Sequence, residues 1–213
     1  MDDSTVLPRL MLVTDRRRVR ARNLVEWIAE AVGGGVGIVQ LREKDLPDDE
    51  LRELVVRVRD AVPESTCVVV NSSERVARTQ KTGLHLPAAA TTPRVLLEGL
   101  RPFRPFGRSV HDEKEAARAM RDRPDYLVLG HIYRSASKPG SPGRGLGLLD
   151  AVCRAVAPVP VFAIGGVTVG RIPEVIHGGA YGVAVCGPIL TSNDPRRVAQ
   201  AMSLALEVAV GRV

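Results

Sequence analysis

Short apolar runs alternate with amphipathic stretches along the whole chain. The apolar runs are rich in β-branched residues and lack a polar alternation, which is typical of parallel strands covered by helices on both faces. Eight such runs predict eight strands. They are Leu10–Thr14, Val36–Leu41, Cys67–Val70, Gly83–Leu86, Phe106–Val110, Tyr126–Leu129, Val159–Ile164 and Gly182–Cys186.

Apolar residues at helical spacing fill segments between these strands. Leu51, Leu54, Val55 and Val58 recur at intervals of three and four residues, and similar patterns occur before the second strand and near the C-terminus. This spacing predicts helices with one face against a core. No low-complexity linker interrupts the alternation, so we expect one domain over residues 1–213.

Eight β-then-α units are compatible with a closed barrel or with a doubly wound open sheet. An open sheet would be expected to carry a glycine-rich nucleotide fingerprint after its first strand, but Val13-Thr14-Asp15-Arg16 contains no glycine. The sequence therefore predicts the α/β class and a single (β/α)8 TIM barrel. A length of 213 residues is close to the lower limit of ~200 for such barrels, so the loops must be short.

Composition excludes several classes of protein. Hydrophobic residues make up 45% and charged residues 25% of the chain, as in soluble globular proteins. No apolar run approaches the ~20 residues of a membrane helix, and the N-terminus lacks a signal-peptide pattern. We expect a cytoplasmic protein without a membrane partner. The three cysteines, Cys67, Cys153 and Cys186, lack disulfide or zinc spacing and are interpreted as buried thiols.

The net charge of +6 comes from scattered basic residues. Only three Phe, three Tyr and one Trp are present, which argues against base stacking and hence against a nucleic-acid partner. The basic cluster Arg16-Arg17-Arg18 is interpreted as a solvated loop. A mild positive field suits a small phosphorylated substrate equally well.

The active site of a (β/α)8 barrel lies at the C-terminal ends of its strands. At the end of strand 2, alternation places Gln40, Arg42 and Lys44 on one side, which suits an anionic substrate. The alternative is an ordinary charged turn. Asn71, at the end of strand 3, and Ser109, at the end of strand 5, are further candidates for contact with a ligand.

The end of strand 6 carries His131, followed by a long Gly/Ser/Pro-rich loop that contains Lys138. An imidazole exchanges protons near neutral pH, so His131 is a candidate acid–base group, and Lys138 a candidate anion contact. A structural histidine and a plain surface loop are the alternatives. The histidines His85 and His177 are interpreted as structural.

Glycines mark the ends of the last two strands, at Gly165-Gly166 and Cys186-Gly187. Such turns allow main-chain N–H groups to approach a phosphate, which barrels often bind after strands 7 and 8. A purely steric need for glycine is the alternative. Strands 3 and 4 end without a carboxylate, so no metal site is predicted there.

With these motifs in order, the chain resembles the superfamily of thiamine-phosphate synthases and TenI-type thiazole tautomerases. The resemblance implies the (β/α)8 barrel and phosphate binding after strands 7 and 8. It rests on Val39-Gln40-Leu41-Arg42-Glu43-Lys44, Gly83-Leu84-His85-Leu86, Gly107-Arg108-Ser109-Val110-His111, Asp125-Tyr126-Leu127-Val128-Leu129-Gly130 and Pro160-Val161-Phe162-Ala163-Ile164-Gly165-Gly166-Val167.

Departures from the synthase pattern suggest a branch of this superfamily. The synthase pattern has magnesium-binding acids where this chain has Ser72 and Ala90. The tautomerase pattern has Gly-His and Gly-Arg-Gly, matched here by Gly130-His131 and Gly143-Arg144-Gly145. The resemblance therefore favours a thiazole tautomerase without a metal or cofactor, acting on a small phosphorylated thiazole.

In that reaction His131 would move the proton, while Ser109, Arg42 and Lys44 would hold the carboxylate or orient the ring. Two alternatives stay open. One is a thiamine-phosphate synthase, which joins a thiazole phosphate to an aminopyrimidine pyrophosphate with Mg²⁺. The other is a regulator that binds a metabolite without turnover. The sequence leaves the oligomeric state open, a homo-oligomer included.

Overall fold

A computed structural model describes residues 6–19, 23–92, 103–135 and 140–211. Its eight parallel strands close into one barrel in the order β1 to β8, with β1 paired to β8. The strands are β1 (Leu10–Val13), β2 (Ile38–Leu41), β3 (Cys67–Asn71), β4 (Gly83–Leu86), β5 (Phe106–Val110), β6 (Tyr126–Gly130), β7 (Val161–Ile164) and β8 (Gly182–Val185).

Helices follow most of the strands and form the outer layer. They are α1 (Leu24–Gly33), α2 (Asp48–Ala61), α3 (Glu74–Gln80), α4 (Glu113–Ala119), α5 (Gly145–Val156), α6 (Ile172–His177), α7 (Gly187–Leu190) and α8 (Pro195–Ala209). Several begin at capping side chains: Asn23 accepts a hydrogen bond from Val25 N, and Asp194 accepts one from Arg197 N. Such caps satisfy N–H groups that the first helical turn leaves free.

Side-chain alternation along the strands separates two apolar layers. Met11, Ile38, Val69 and Phe162 fill the barrel interior, while the larger cluster lies between the barrel and its helices. Because every strand is covered on both faces, continuous apolar runs are required, and the predicted (β/α)8 fold is confirmed. The eight predicted strands are all present, with ends shifted by at most two residues.

Other expectations concern the chain as a whole. The three cysteines are free and partly buried. In the parts of the chain that the structure describes, no helix has the length and apolarity needed to span a membrane. The described residues form a single barrel, and one domain over residues 1–213 stays a prediction.

Candidate active site

The C-terminal strand ends meet at one mouth of the barrel. Parity along each strand directs Gln40 of β2, His85 of β4 and Ser109 of β5 inward, in the same sense as the interior residues Ile38 and Tyr126. The parallel register brings together side chains that are far apart in sequence. Sequence candidates at these strand ends therefore share one site.

A buried carboxylate joins the ends of β1 and β2. Thr14 Oγ1 donates to Glu43 Oε1 at 2.5 Å and accepts a hydrogen bond from the main-chain N–H of Arg42 at 3.0 Å. Glu43 Oε2 accepts from the main-chain N–H of Arg16 at 2.9 Å. This network fixes the backbone of Arg42. Glu43, which supplies the carboxylate, was not among the candidate residues predicted from the sequence.

The polar residues at the end of β2 and just after it differ in their surroundings. The charge of Arg42 acts to lower the pKa values of His85 on β4 and of the Cys186 thiol after β8, so it acts electrostatically on groups that belong to different strand ends. Gln40 is buried; among the described residues its amide nitrogen has no partner at ordinary hydrogen-bond distance, although its side chain interacts with the Tyr126 phenol and acts to lower its pKa. Lys44 is exposed on the following turn, farther from the interior.

Three interior side chains form a hydrogen-bonded row across β4, β5 and β6. His85 Nε2 lies 2.8 Å from Ser109 Oγ, and His85 Nδ1 lies 3.1 Å from the Tyr126 hydroxyl. The imidazole also stacks on the phenol ring, with centroids 5.6 Å apart. Ser109 was a candidate from the sequence, whereas His85 was interpreted as structural. The two residues meet only through the register of β4 against β5, which the sequence does not reveal.

Burial controls the ionisation of this row. Desolvation, aided by the charges of Arg108 and Arg42, lowers the pKa of His85 to about 3. Desolvation also raises the pKa of the Tyr126 phenol. Both groups are therefore neutral at physiological pH.

The ends of β3 and β4 carry neutral groups where the synthase pattern has acids. The Asn71 amide donates to Ser72 Oγ at 2.7 Å. Ala90 offers only its main-chain carbonyl, which accepts a hydrogen bond from Arg108 Nη2 at 2.8 Å. Arg108 also pairs with Asp122 at 2.7 Å. Asn71 stays a candidate for substrate binding.

This donor set does not fit a magnesium ion. Magnesium is usually held by one or two carboxylates, together with phosphates and water. The only oxygen that Ala90 presents faces a guanidinium, and no group of three acidic, histidine or cysteine side chains with metal-site geometry occurs among the described residues.

His131 follows β6 and is almost fully buried. Its Nε2 lies 2.9 Å from the carbonyl oxygen of Pro142, which holds the loop after β6 against the barrel. Its Nδ1 is buried without a hydrogen-bond partner in the described part of the chain. Since Nε2 must carry a proton to donate to Pro142, Nδ1 is a free acceptor in the neutral ring.

The glycine pair after β7 packs closely against the same loop. A Cβ atom on Gly165 would lie 2.4 Å from the Cβ of His131, and one on Gly166 would lie 2.5 Å from the carbonyl oxygen of Arg134. Both glycines also have positive φ angles, 97° and 66°. Glycine is therefore required at both positions for steric reasons, which is the alternative given above. A phosphate contact at Gly165-Gly166 stays a prediction.

A guanidinium approaches the turn after β8. The atom nearest to a Cβ built on Gly187 is Arg18 Nη1, at 3.7 Å. Arg18 is held by Asp15, with Nε 3.3 Å from Oδ2, and its side chain is mostly buried. Burial raises the pKa of the neighbouring Cys186 thiol to about 11. Arg18 was interpreted as part of a solvated loop; its spacing of three residues from Asp15 is the signal that was missed.

Lys138 lies outside the described residues, and its expected contact with an anion stays a prediction. The remaining candidates surround a mouth that combines a guanidinium, a hydroxyl, an amide and glycine-marked turns. Together these residues lie at the C-terminal face, where (β/α)8-barrel proteins place their ligand sites.

Comparison with known proteins narrows this class. The sequence profile of the thiamine monophosphate synthase family matches residues 10–189, and the chain belongs to that family. A thiamine-phosphate synthase of Mycolicibacterium smegmatis is 32% identical, with 98% of this chain and 100% of that protein covered. Another, from Mycolicibacterium gilvum, is 33% identical over 95% of this chain and 89% of that protein.

Solved structures agree with this assignment. A thiamine phosphate pyrophosphorylase from Pyrococcus furiosus superimposes with a TM-score of 0.83 at 27% identity, covering 95% of this chain and 97% of that one. The expectation of a thiazole tautomerase is therefore wrong, because synthases match almost the whole chain at about one third identity. That expectation gave a few loop positions, Ser72, Ala90 and His131, more weight than the rest of the barrel.

Proposed function

We propose that this protein is a transferase that joins a phosphorylated thiazole to an aminopyrimidine pyrophosphate, forming thiamine phosphate and releasing pyrophosphate. The observation that carries the proposal is the near full-length similarity to thiamine-phosphate synthases in both sequence and fold. In the reaction the lone pair of the thiazole ring nitrogen forms a bond to the methylene carbon of the pyrimidine, and the C–O bond from that carbon to pyrophosphate breaks. The electron pair of that bond leaves with pyrophosphate.

The departing pyrophosphate needs positive charge close to its oxygens, because electrostatic stabilisation of developing charge is a large term in such reactions. Arg42 supports this role, since its backbone is fixed by Thr14 and its charge reaches across the mouth. Lys44 lies on the adjoining turn and can add a mobile ammonium group. We assign these two side chains to the pyrophosphate and the glycine-marked turns after β7 and β8 to the thiazole phosphate.

The remaining interior groups suit the pyrimidine ring. Ser109 offers a hydroxyl and Gln40 a side-chain amide, both directed inward at the mouth. Asn71 borders the same space from β3. Neutral hydrogen-bonding groups of this kind can orient a polar heterocycle by pairing with its ring nitrogens and amino group.

The test is to incubate the purified protein with both substrates and to measure thiamine phosphate and pyrophosphate, in parallel with Mg²⁺ and with a chelator. We expect thiamine phosphate and pyrophosphate to form in equal amounts. Arg42→Ala should lower kcat/KM at least tenfold, since a charged contact is lost. Arg52→Ala, which removes an exposed arginine on α2, is the matched control and should have no effect. Absence of thiamine phosphate in both arms would overturn the proposal and leave a metabolite-binding protein without turnover.

A further inference from the structure

The row formed by Ser109, His85 and Tyr126 extends from the mouth into the barrel interior. Ser109 is partly exposed, whereas His85 and Tyr126 are almost completely buried. The distances, 2.8 Å from Ser109 Oγ to His85 Nε2 and 3.1 Å from His85 Nδ1 to the Tyr126 hydroxyl, are those of hydrogen bonds. Neither His85 nor Tyr126 is placed to touch a ligand directly.

The positions of the protons follow from what each buried group must do. A buried hydroxyl has to donate its proton to an acceptor, and the described residues give Tyr126 two hydrogen-bonding neighbours: His85 Nδ1, and the Gln40 amide, which lowers the phenol's pKa and is therefore a donor. If Nδ1 carried the proton instead, the Tyr126 O–H would be left without an acceptor. Tyr126 is therefore the donor, and Nδ1 of His85 is bare.

The same reasoning then determines the other side of the imidazole. The ring of His85 is neutral, because burial and the charges of Arg108 and Arg42 lower its pKa to about 3. A neutral ring with a bare Nδ1 carries its proton on Nε2. That N–H donates to Ser109 Oγ, whose own proton is then free to be donated toward the mouth.

We infer that Tyr126 and His85 are positioning residues, which fix the hydroxyl of Ser109 as a hydrogen-bond donor to the bound substrate. The ligand atom that meets Ser109 must accordingly be a hydrogen-bond acceptor, such as an unprotonated ring nitrogen. The benefit is preorganisation: the hydroxyl does not have to reorient when the substrate arrives. This inference rests on the proposed function only for the identity of the reaction, and not for the arrangement of the protons.

The arrangement can be tested without any activity. Nitrogen-15 NMR of histidine-labelled full-length protein at pH 7 should show His85 as a neutral ring with a protonated Nε2 and a bare Nδ1. The signal is identified by its loss in His85→Gln. Tyr126→Phe should shift the Nδ1 resonance, since it removes the hydrogen bond to that atom. Protonation on Nδ1 in the wild-type protein would overturn the inference.

Kinetics then separate positioning from a merely structural role. We expect Tyr126→Phe to lower kcat for thiamine phosphate formation roughly fivefold to tenfold, the equivalent of one hydrogen bond, with little change in KM. In a Ser109→Ala background the same substitution should have no further effect, because Tyr126 acts through Ser109. Effects that multiply independently would contradict the inference.

A matched control removes another phenol hydroxyl from the same barrel. Tyr181 lies just before β8, at the opposite end from the mouth, and its hydroxyl donates to the carbonyl oxygen of Leu7. Tyr181→Phe should leave kcat unchanged, and an equal fall in kcat would show that Tyr126 acts through stability alone. A wild-type protein that forms no thiamine phosphate would refute the proposed function, while the NMR experiment would still decide the arrangement of protons.

Discussion

The hydroxyl of Thr14 and the carboxylate of Glu43 are 2.5 Å apart and join the first two strands of the barrel just below its mouth. Glu43 is buried, although its immediate neighbours Arg42 and Lys44 are more exposed. The carboxylate is stabilised by two donors, Thr14 Oγ1 and the main-chain N–H of Arg16. An acidic residue between two cationic ones therefore has a structural task, which is to hold the backbone from which Arg42 projects.

Glu43→Ala should destabilise the fold by roughly 2–4 kcal/mol, because it leaves the buried Thr14 hydroxyl and the partly buried main-chain N–H of Arg16 without their acceptor. Chemical denaturation measures the change. Glu30→Ala is the control: Glu30 forms an exposed ion pair with Arg196, at 2.9 Å, and such pairs contribute at most about 1 kcal/mol. Equal losses in the two variants would show that the network around Glu43 contributes no special stability.

Glycine at position 165 is expected to be required for packing. Gly165→Ala would place a methyl group 2.4 Å from the Cβ of His131 and would strain a residue with φ of 97°. A loss of at least ~2 kcal/mol in the free energy of unfolding is expected. Gly147, inside helix α5, has open space around it, so Gly147→Ala should instead stabilise by about 0.5–1 kcal/mol. A neutral Gly165→Ala variant would contradict the tight contact.

Sequence patterns predicted the barrel well because a parallel sheet covered on both faces leaves a local record. Most of the strands are predominantly apolar, and this pattern identified all eight without tertiary information. The predicted start of β2 was two residues early, since Val36 and Gly37 belong to the irregular segment that links the turn at Gly34-Gly35 to Ile38. Such turns contain small and apolar residues as well, so periodicity alone does not separate them from a strand.

Contacts between strands leave no such local record. Ser109 and His85 are 24 residues apart and meet only because Gly107 pairs with His85 in the parallel register. Arg18 was grouped with its exposed neighbour Arg17, although the turn beginning at Asp15 directs it toward Gly187. Assigning the reaction required the whole chain, because substitutions at single strand ends were outweighed by similarity across the rest.

Arg18 should contribute to substrate binding, since its guanidinium faces the turn assigned to the thiazole phosphate. Arg18→Ala is expected to raise KM for the phosphorylated thiazole about tenfold, with a smaller effect on kcat, because a charge-assisted contact to a bound anion is lost. Arg17→Ala is a close control, as Arg17 also pairs with Asp15 but is largely exposed. Steady-state kinetics with varied thiazole phosphate measures both, and an unchanged KM in Arg18→Ala would place the phosphate elsewhere.

His85 should make the fold sensitive to acid. Its pKa is about 3 in the folded protein and 6.5 for an ordinary histidine. The unfolded chain therefore binds a proton below pH 6.5 that the folded protein does not bind. The stability that His85 contributes is complete above pH 6.5 and is lost as the pH falls toward 3, with a slope of up to about 1.4 kcal/mol per pH unit.

Denaturation curves between pH 6.5 and pH 5 isolate this effect, because most carboxylates titrate at lower pH. Over that interval His85 should account for about 1.6 kcal/mol of lost stability, since the slope reaches its full value only below pH 6.5. His85→Gln cannot take up the proton and should show a correspondingly shallower dependence, even though it is less stable at every pH. His177→Gln, at an exposed position at the end of α6, should keep the wild-type dependence. The same slope in His85→Gln as in the wild-type protein would mean that the pKa of His85 is not lowered in the folded protein, which would remove the basis for a neutral ring with a bare Nδ1 that accepts from Tyr126.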